Sequence, residues 1–282
     1  VLLRGKFVHK CNLCQFESTR AKLSILNPKQ TLNIDGQLVD VSTPKVMGIL
    51  NSTPDSFYAK SRKSDEKDIL LTAERMLTEG ATFLDIGGYS SRPGAEDISI
   101  QEEINRVILP IEAIAKRFPE VILSIDTFRA AVAKVALDAG AQLINDISGG
   151  HLDLDLIALA GKRKVPYIAM HMRGTPQTMK SLTQYDDVLL EFMQYFANIQ
   201  QKAKTAGIHD LIIDPGFGFA KSLEQNYYLL QHLDHFKQLE CPILVGVSRK
   251  SMIYKLLDSS PDEALNGTTA LNSVALLRGA NI

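Results

Sequence analysis

The chain has 282 residues, of which 45% are hydrophobic and 22% are charged, and its formal net charge is −1. This composition predicts one large globular domain, and the balanced charge gives no support for nucleic-acid binding or for attachment to an anionic membrane surface. No apolar stretch is long enough to span a bilayer, and the start of the chain lacks the apolar segment of a signal peptide. The three cysteines do not make a disulfide framework, so we expect a cytoplasmic protein.

The first 30 residues show no sustained hydrophobic period, and they are predicted to be an N-terminal extension of a single domain covering residues 31–282. Cys11 and Cys14 have the spacing of half a zinc site. A structural zinc ion needs four ligands and no second pair follows, so two incidental thiols are the favoured interpretation. The domain opens at Thr31–Val41, where Asp35-Gly36 between alternating apolar residues indicates a β-hairpin that could cover the bottom of a barrel.

From Lys45 onward, short apolar strands alternate with amphipathic helices. Seven such strand–helix units favour an α/β fold of the (β/α)₈ (TIM) barrel type over a doubly wound sheet. An eighth strand should begin at Ala280, and the rest of the closing strand and its helix are expected to be absent from this sequence. The predicted strands are Lys45–Leu50, Thr82–Ile86, Val121–Ile125, Ala141–Asp146, Val165–Met170, Leu211–Asp214 and Pro242–Val247, and the predicted helices are Asp65–Glu79, Ile100–Phe118, Arg129–Ala139, Leu152–Lys162, Tyr185–Ala206, Leu223–Phe236 and Asp262–Arg278.

Polar residues follow every one of these strands, and in a barrel the carboxyl ends of all strands meet at one mouth. Carboxylates and amides suit a flat heterocycle with several donors and acceptors, cations suit a phosphorylated group, and aromatic rings can stack on the heterocycle. The residues therefore predict a site for a polar heterocycle that carries phosphate. The members of these three groups are Asp126, Asn145 and Asp214, then Arg92, Arg173, Arg249 and Lys250, then Phe57 and Phe219.

Each of these positions also has a purely structural interpretation. Asp126 and Asp146 could each do no more than cap the following helix. The glycines of Gly216–Gly218 could serve only a turn. For His171 a buried core histidine is the favoured interpretation.

Seven stretches, in this order, resemble the bacterial dihydropteroate synthase family over Leu32–Ile282. They are MGILNSTPDSF (Met47–Phe57), DIGGYSSRPGA (Asp85–Ala95), SIDT (Ser124–Thr127), IND (Ile144–Asp146), MHMRGTPQTM (Met170–Met179), DPGFGF (Asp214–Phe219) and VSRKSM (Val247–Met252). The resemblance implies a Mg²⁺-assisted transferase of folate synthesis that joins 6-hydroxymethyl-7,8-dihydropterin diphosphate to 4-aminobenzoate in an SN1-like reaction. The products would be 7,8-dihydropteroate and pyrophosphate, and the family implies a homodimer that packs through late helices.

The same resemblance implies roles for individual residues. Asp126, Lys250 and Arg92 would be the catalytic residues, and Asn51 would hold Mg²⁺ and the pyrophosphate group. The pterin ring would be hydrogen-bonded by Asp126, Asn145, Asp214 and Lys250, in a slot lined by Met170, Gly218 and Phe219. The aminobenzoate site, where sulfonamides compete, would be formed by Ser91, Pro93, Phe57, Phe219 and Ser251.

The chain departs from the family pattern at several positions. Tyr89 stands where a glutamate is usual, and Ala59 lacks a carboxylate often assigned to cation stabilisation, which leaves more of that role to Asp126 or Asp55. The departures at Ala59 and Tyr89 keep open a non-catalytic pterin-binding barrel. A methyltetrahydrofolate-dependent methyltransferase, whose family shares the pterin carboxylates and amide, is the other alternative. Further departures are Ser52, Ser91 and Ala220, which replace valine, threonine and glycine; Ser91 is the mildest because it keeps the hydroxyl.

Overall fold

The computed structural model describes residues 29–52, 62–91 and 97–282. Its strands are β1 (Thr31–Ile34), β2 (Gln37–Asp40), β3 (Val46–Asn51), β4 (Ala81–Gly87), β5 (Ile122–Asp126), β6 (Leu143–Asp146), β7 (Tyr167–Met170) and β8 (Leu211–Asp214). Its α-helices are α1 (Arg62–Thr78), α2 (Ile100–Arg117), α3 (Ala130–Ala139), α4 (Asp155–Arg163), α5 (Val188–Ala206), α6 (Leu223–Gln231), α7 (Ser251–Tyr254) and α8 (Leu265–Arg278), with 3₁₀ helices at Met179–Ser181 and Leu233–Leu239.

Most of the predicted N-terminal extension, including Cys11 and Cys14, lies outside the described residues, so the domain boundary and the two thiols stay predictions. Lys29 and Gln30, which are described, already contact the domain: the Nζ of Lys29 lies 2.7 Å from Oδ1 of Asp210. None of the helices within the described ranges combines the length and the apolar content needed to cross a membrane.

Strands β3 to β8 form a parallel sheet in chain order, as a barrel with right-handed helical crossovers requires. Helix α2 illustrates how the sequence produces the crossovers. The hydroxyl of Ser99 caps its first turn by accepting a hydrogen bond from the backbone N–H of Glu102 at 3.1 Å. Val107, Ile111 and Ile114 recur at helical spacing and are fully buried against the sheet.

The seventh predicted strand, Pro242–Val247, is shorter than expected. It pairs with β8 through a single bridge between Ile213 and Ile243, with the N–H of Leu244 donating to the carbonyl of Ile213 at 2.9 Å. The chain then leaves the sheet and turns into α7, which interrupts the last predicted unit. Helix α8 consequently begins at Leu265, three residues later than the predicted start, and α6 gives way to a 3₁₀ helix after Gln231.

Residues Ala280–Ile282 close the barrel by lying between the seventh predicted strand, Pro242–Val247, and β3. The N–H of Asn281 donates to the carbonyl of Ile243 at 2.8 Å, and the N–H of Val245 donates to the carbonyl of Ile282 at 2.8 Å. On the other side, the N–H of Lys45 donates to the carbonyl of Asn281 at 2.8 Å. Asn281 and Ile282 therefore make the backbone pairing expected of an eighth barrel strand, without forming a regular strand.

The β1–β2 hairpin covers the bottom of the barrel, as the sequence predicted. Leu32, Ile34 and Val41 are buried against apolar side chains that point inward from the strands. This inner cluster fills the lower barrel and leaves the carboxyl ends of the strands as the open end. The strand residues in the cluster are Phe83, Leu143, Ile168, Ile212 and Leu244.

If the hairpin is a plug, a buried hairpin leucine should matter far more than an exposed one. Leu32 is 0% exposed and Leu38, on the same hairpin, is 74% exposed. Leu32→Ala should lower the free energy of unfolding by about 2–5 kcal/mol, because it opens a cavity in the inner cluster. Leu38→Ala should change it by less than about 0.5 kcal/mol. Urea unfolding of both variants measures the difference, and equal losses would contradict the plug.

Candidate active site

The register of the sheet places four residues side by side at the open end. Asn51 pairs with Gly87, Gly87 pairs with Asp126, and Asp126 pairs with Asn145, across β3, β4, β5 and β6. Successive residues of a strand alternate between faces. Because Phe83, four residues before Gly87, belongs to the inner cluster, this row also faces the barrel interior. Three residues predicted from the sequence are thus brought together.

Gly87 keeps space open in the middle of the row. A Cβ atom added there would lie 3.4 Å from Oδ2 of Asp126 and 3.5 Å from Oδ1 of Asn51. Asp126 does not cap helix α3, because the N–H of Ala130 donates to Asp153 at 2.7 Å instead. The helix-capping interpretation of Asp126 is therefore wrong, and its carboxylate faces the space beside Gly87.

The surroundings of Asp126 disfavour the negative charge on its carboxylate. Burial raises its pKa well above the usual range, and the nearby charges of Asp85, Glu103 and Asp146 raise it further. Within the described residues no hydrogen bond engages its side chain. A cation or an N–H donor placed beside it would therefore be strongly stabilised.

Asp146, in contrast, serves the protein's own backbone. Its carboxylate accepts hydrogen bonds from the N–H groups of Ser148 at 2.7 Å and Gly150 at 2.6 Å, and from the hydroxyl of Tyr167. These bonds shape the loop after β6, so Asp146 has a structural role. It does not cap helix α4, which has no side-chain cap, so the helix-capping interpretation is wrong for Asp146 as well.

Asp214, at the end of β8, lies among cations. It accepts a hydrogen bond from the N–H of Gly216 at 2.7 Å. Burial raises its pKa, whereas the charge of Lys250, the Gly216 N–H and the charge of Lys221 act in the opposite direction. The two lysines therefore offset part of the cost of burying this carboxylate, although burial lowers the pKa of both lysines as well.

These two lysines also hold the glycine-rich turn after β8. Lys221 donates to the carbonyls of Gly216 at 2.6 Å and Phe219 at 2.7 Å, and Lys250 donates to the carbonyl of Phe217 at 2.6 Å. Gly216 has φ +66°, and an added Cβ would lie 2.5 Å from a backbone oxygen, so the turn requires a glycine there. The interpretation that Gly216 serves a turn is therefore correct. The same turn places Gly218 beside Lys250.

An apolar wall adjoins these charges. Met170 is buried and Phe219 is half-buried in one small cluster, and Nζ of Lys250 lies 5.0 Å from the centroid of the Phe219 ring. Ser251 follows Lys250 as the first residue of α7, and Ser91 is half-buried at the edge of a described segment. The other predicted site residues, Arg92, Phe57 and Pro93, lie outside the described residues, as do Asp55 and Ala59.

Tyr89, the departure from the family pattern, joins two loops. Its ring lies edge-on to Phe128 at 5.0 Å between centroids and 5.1 Å from the guanidinium of Arg129. Its hydroxyl accepts a hydrogen bond from Nε2 of Gln177 at 3.0 Å. The loop after β4 is thereby tied to the loop after β7 at the open end.

Glu103 is a charged residue for which the sequence predicted no role. It is fully buried, and its Oε2 lies 3.0 Å from a guanidinium nitrogen of Arg129.

His171 is a core histidine. Its ring stacks on Phe192 at 3.7 Å between centroids, and burial, reinforced by the charges of Lys221 and Arg173, lowers its pKa well below the usual value. The favoured structural interpretation agrees with this geometry.

Asp85 and Lys221 have no role that was predicted from the sequence. Asp85 precedes Gly87 by two residues on β4, so strand alternation alone could have placed it on the inner face. Lys221 follows directly after the glycine-rich turn, and that position is the only signal for its contact with the turn.

A closed parallel barrel with carboxylates, an amide and lysines beside an apolar slot defines a class of barrels that bind a polar heterocycle at the strand ends. Residues 47–282 match the family of pterin binding enzymes. The dihydropteroate synthase of Escherichia coli (strain K12) is 43% identical over 249 residues, covering 88% of both chains. That of Synechocystis is 45% identical over 240 residues, covering 84% of this chain and 83% of the relative.

Solved structures agree with these relatives. The Yersinia pestis dihydropteroate synthase in a sulfonamide drug complex superposes with a TM-score of 0.82 at 43% identity, covering 89% of this chain and 91% of that one. The Xanthomonas albilineans dihydropteroate synthase with 4-aminobenzoic acid superposes with a TM-score of 0.80 at 36% identity, covering 89% and 90%. The chain therefore belongs to the pterin-binding enzyme family and, within it, to the dihydropteroate synthases.

Proposed function

We propose that this chain joins 6-hydroxymethyl-7,8-dihydropterin diphosphate to 4-aminobenzoate, forming 7,8-dihydropteroate and pyrophosphate. The observation that carries the proposal is the inward row of Asn51, Gly87, Asp126 and Asn145, in which an amide and a carboxylate flank an open space. The names of the relatives support the synthase over the methyltransferase and over a barrel without activity.

The pterin ring would bind between the row and the turn after β8. Asp126, Asn145 and Asp214 supply acceptors for its N–H groups, and Lys250 supplies a donor for an acceptor on the ring. Met170, Gly218 and Phe219 would line the slot, since the first and last of these share one apolar cluster. A ring in this slot would lie against an apolar wall while its polar edge met the carboxylates.

The charge on Asp126 suits an SN1-like reaction. The bond between the exocyclic methylene carbon and the diphosphate oxygen breaks, and its electron pair leaves with pyrophosphate. The resulting cation is delocalised over the dihydropterin ring, where the carboxylate of Asp126 stabilises it. The amine nitrogen of 4-aminobenzoate then forms the new bond with its lone pair and loses a proton to solvent. Because this amine is already nucleophilic, no strong general base is needed.

Asn51 fits a magnesium ion that is shared with the substrate. No group of three histidine, cysteine, aspartate or glutamate residues able to hold a metal occurs in the part of the chain that the structure describes. Mg²⁺ commonly binds through one or two protein ligands together with substrate phosphates and water, so one amide oxygen at the open end suffices for this arrangement. When bound, Mg²⁺ would supply charge stabilisation for the departing pyrophosphate, a role in which Arg92 would assist.

The aminobenzoate would bind at the outer side of the mouth. Ser91 and Ser251 are both half-buried and close to the strand ends, and Phe219 has part of its ring accessible. Phe57 and Pro93 would complete this site.

A cytoplasmic location also stays a proposal, with which the buried free thiol of Cys241 is compatible.

The direct test is release of pyrophosphate by the purified full chain. Pyrophosphate should appear only when dihydropterin diphosphate, 4-aminobenzoate and Mg²⁺ are all present, and dihydropteroate should form in equal amount. Binding of dihydropterin diphosphate without product in the presence of aminobenzoate would favour the non-catalytic barrel. Methyl transfer from methyltetrahydrofolate with no pyrophosphate release would favour the methyltransferase.

Replacement of the cation-stabilising carboxylate should slow the chemical step. Asp126→Ala should lower kcat about 100-fold, the order of magnitude typical when one electrostatic contact to a transition state is removed. In the native enzyme kcat should fall as the pH is lowered through the raised pKa of Asp126, since the neutral acid cannot stabilise a cation. Asp138→Ala, on the exposed face of α3, is the matched control. An unchanged kcat for Asp126→Ala would rule out the proposed role.

A homodimer is supported by exposed leucines on α8 and in the turn that precedes it. Leu277 is 85% exposed, and four more leucines of this part of the chain are at least half exposed: Leu256, Leu257, Leu265 and Leu276. Exposed large apolar side chains that share a surface typically mark a protein interface. We propose that a second copy of the chain covers it.

Introducing a charge into this surface should separate the subunits. Leu277→Glu should convert the dimer into a monomer in sedimentation velocity experiments, because association would bury an unpaired carboxylate. Leu154→Glu, at a leucine that is 74% exposed before α4, should leave the dimer intact. A wild-type chain that sediments as a monomer would refute the homodimer.

A further inference from the structure

Asp85 lies directly beneath the row of site residues and has no role in the proposed chemistry. It is in β4, two residues before Gly87, so its side chain points to the same inner face one layer nearer the hairpin. Its register partners are Ile49 and Ser124. Its side chain is 4% exposed, which makes direct contact between Asp85 and a bound ligand difficult.

Asp85 is joined to the row through Asn145. Nδ2 of Asn145 lies 2.9 Å from Oδ2 of Asp85, a distance typical of an N–H···O hydrogen bond. An ionised carboxylate can only accept, so the amide must turn its NH₂ group downward to Asp85. The carbonyl oxygen of Asn145 is then left for the open end, where the half-buried residue is still accessible.

The pair is mutually dependent. Burial raises the pKa of Asp85, and the neighbouring hydroxyl of Ser124 and the N–H donated by Asn145 oppose that shift. If the amide were reversed, its carbonyl oxygen would face the buried carboxylate, and two acceptors without a proton between them repel. The charge on Asp85 therefore selects one of the two amide orientations.

We propose that Asp85 is a positioning residue that fixes the side-chain amide of Asn145 so that its carbonyl oxygen faces the pterin. This inference rests on the proposed function. With Asn145 so oriented, the inner wall formed by Asp126, Asn145 and Asp214 consists of hydrogen-bond acceptors. The ligand edge that meets this wall must carry N–H donors, as the amino and ring N–H groups of a dihydropterin do. Asp85 thereby restricts which heterocycles can bind, although it does not itself contact them.

Exchanging the two side chains tests this orientation. Asn145→Asp places two carboxylates against each other and should weaken binding of dihydropterin diphosphate about 100-fold. In the double variant Asp85→Asn/Asn145→Asp, the amide at position 85 donates upward to the carboxylate at position 145, which still offers an acceptor oxygen to the pterin. The double variant should therefore bind at least about tenfold more tightly than Asn145→Asp. Isothermal titration with dihydropterin diphosphate and Mg²⁺ measures both.

The opposite orientation predicts a different result. If Asn145 presented its NH₂ group to the ligand, a carboxylate at position 145 could not replace it, and the double variant would bind no better than Asn145→Asp. That result would overturn the proposal. Wild-type protein that fails to bind dihydropterin diphosphate would instead overturn the proposed function, and the inference with it.

A second variant covers the case in which Asn145→Asp does not fold. Asp85→Ala removes the acceptor and should raise the KM for dihydropterin diphosphate about tenfold while leaving the KM for 4-aminobenzoate unchanged, because the amide then samples both orientations. A merely structural role would lower the melting temperature and the active fraction without changing this ratio of KM values. Equal KM values for the pterin substrate in Asp85→Ala and wild type would overturn the proposal.

Discussion

The site depends on the hydrogen-bond register of a closed parallel sheet. That register places Asn51, Gly87, Asp126 and Asn145 in one row across four strands, and strand alternation turns the whole row inward. A shift of one residue in any strand would turn its member of the row outward to the helices. Ala280–Ile282 link the start of β3 to the segment Pro242–Val247 and so close the barrel, and the row therefore curves around a single mouth.

The open end concentrates buried charge, and the surrounding structure compensates for its cost. The charges of Lys221 and Lys250 oppose the rise in the pKa of Asp214 that burial causes, and both lysines donate hydrogen bonds to carbonyls of the turn after β8. Asp126 is the exception, since burial and neighbouring carboxylates raise its pKa with no compensating hydrogen bond in the described residues. A site that leaves one carboxylate unsatisfied is prepared for a cationic partner.

Hydrophobic periodicity, together with the polar residues that follow the strands, made most of the fold predictable. The barrel and the hairpin beneath it were expected and are confirmed, as is the dihydropteroate synthase family; the expected eighth strand is present only as backbone pairing of Asn281 and Ile282. Pro242–Val247 was predicted as a full strand but pairs at one bridge, because an apolar run shows burial without showing how long the pairing lasts. The roles of Arg92, Phe57 and Pro93 stay predictions, since these residues lie outside the described ranges.

The barrel class and the family follow from the sequence alone, because local periodicity and motifs of adjacent residues carry them. For the mouth of the barrel the sequence supplied candidates, of which the described strands bring Asn51, Asp126 and Asn145 together. The tertiary structure alone decided which of two similar aspartates serves the loop and which faces the site: Asp146 is occupied by backbone N–H groups and Asp126 is not. It also decided that Asp85 lies beneath Asn145, 60 residues away in the chain. Such contacts depend on the register between strands, and no local pattern in a single strand carries that information.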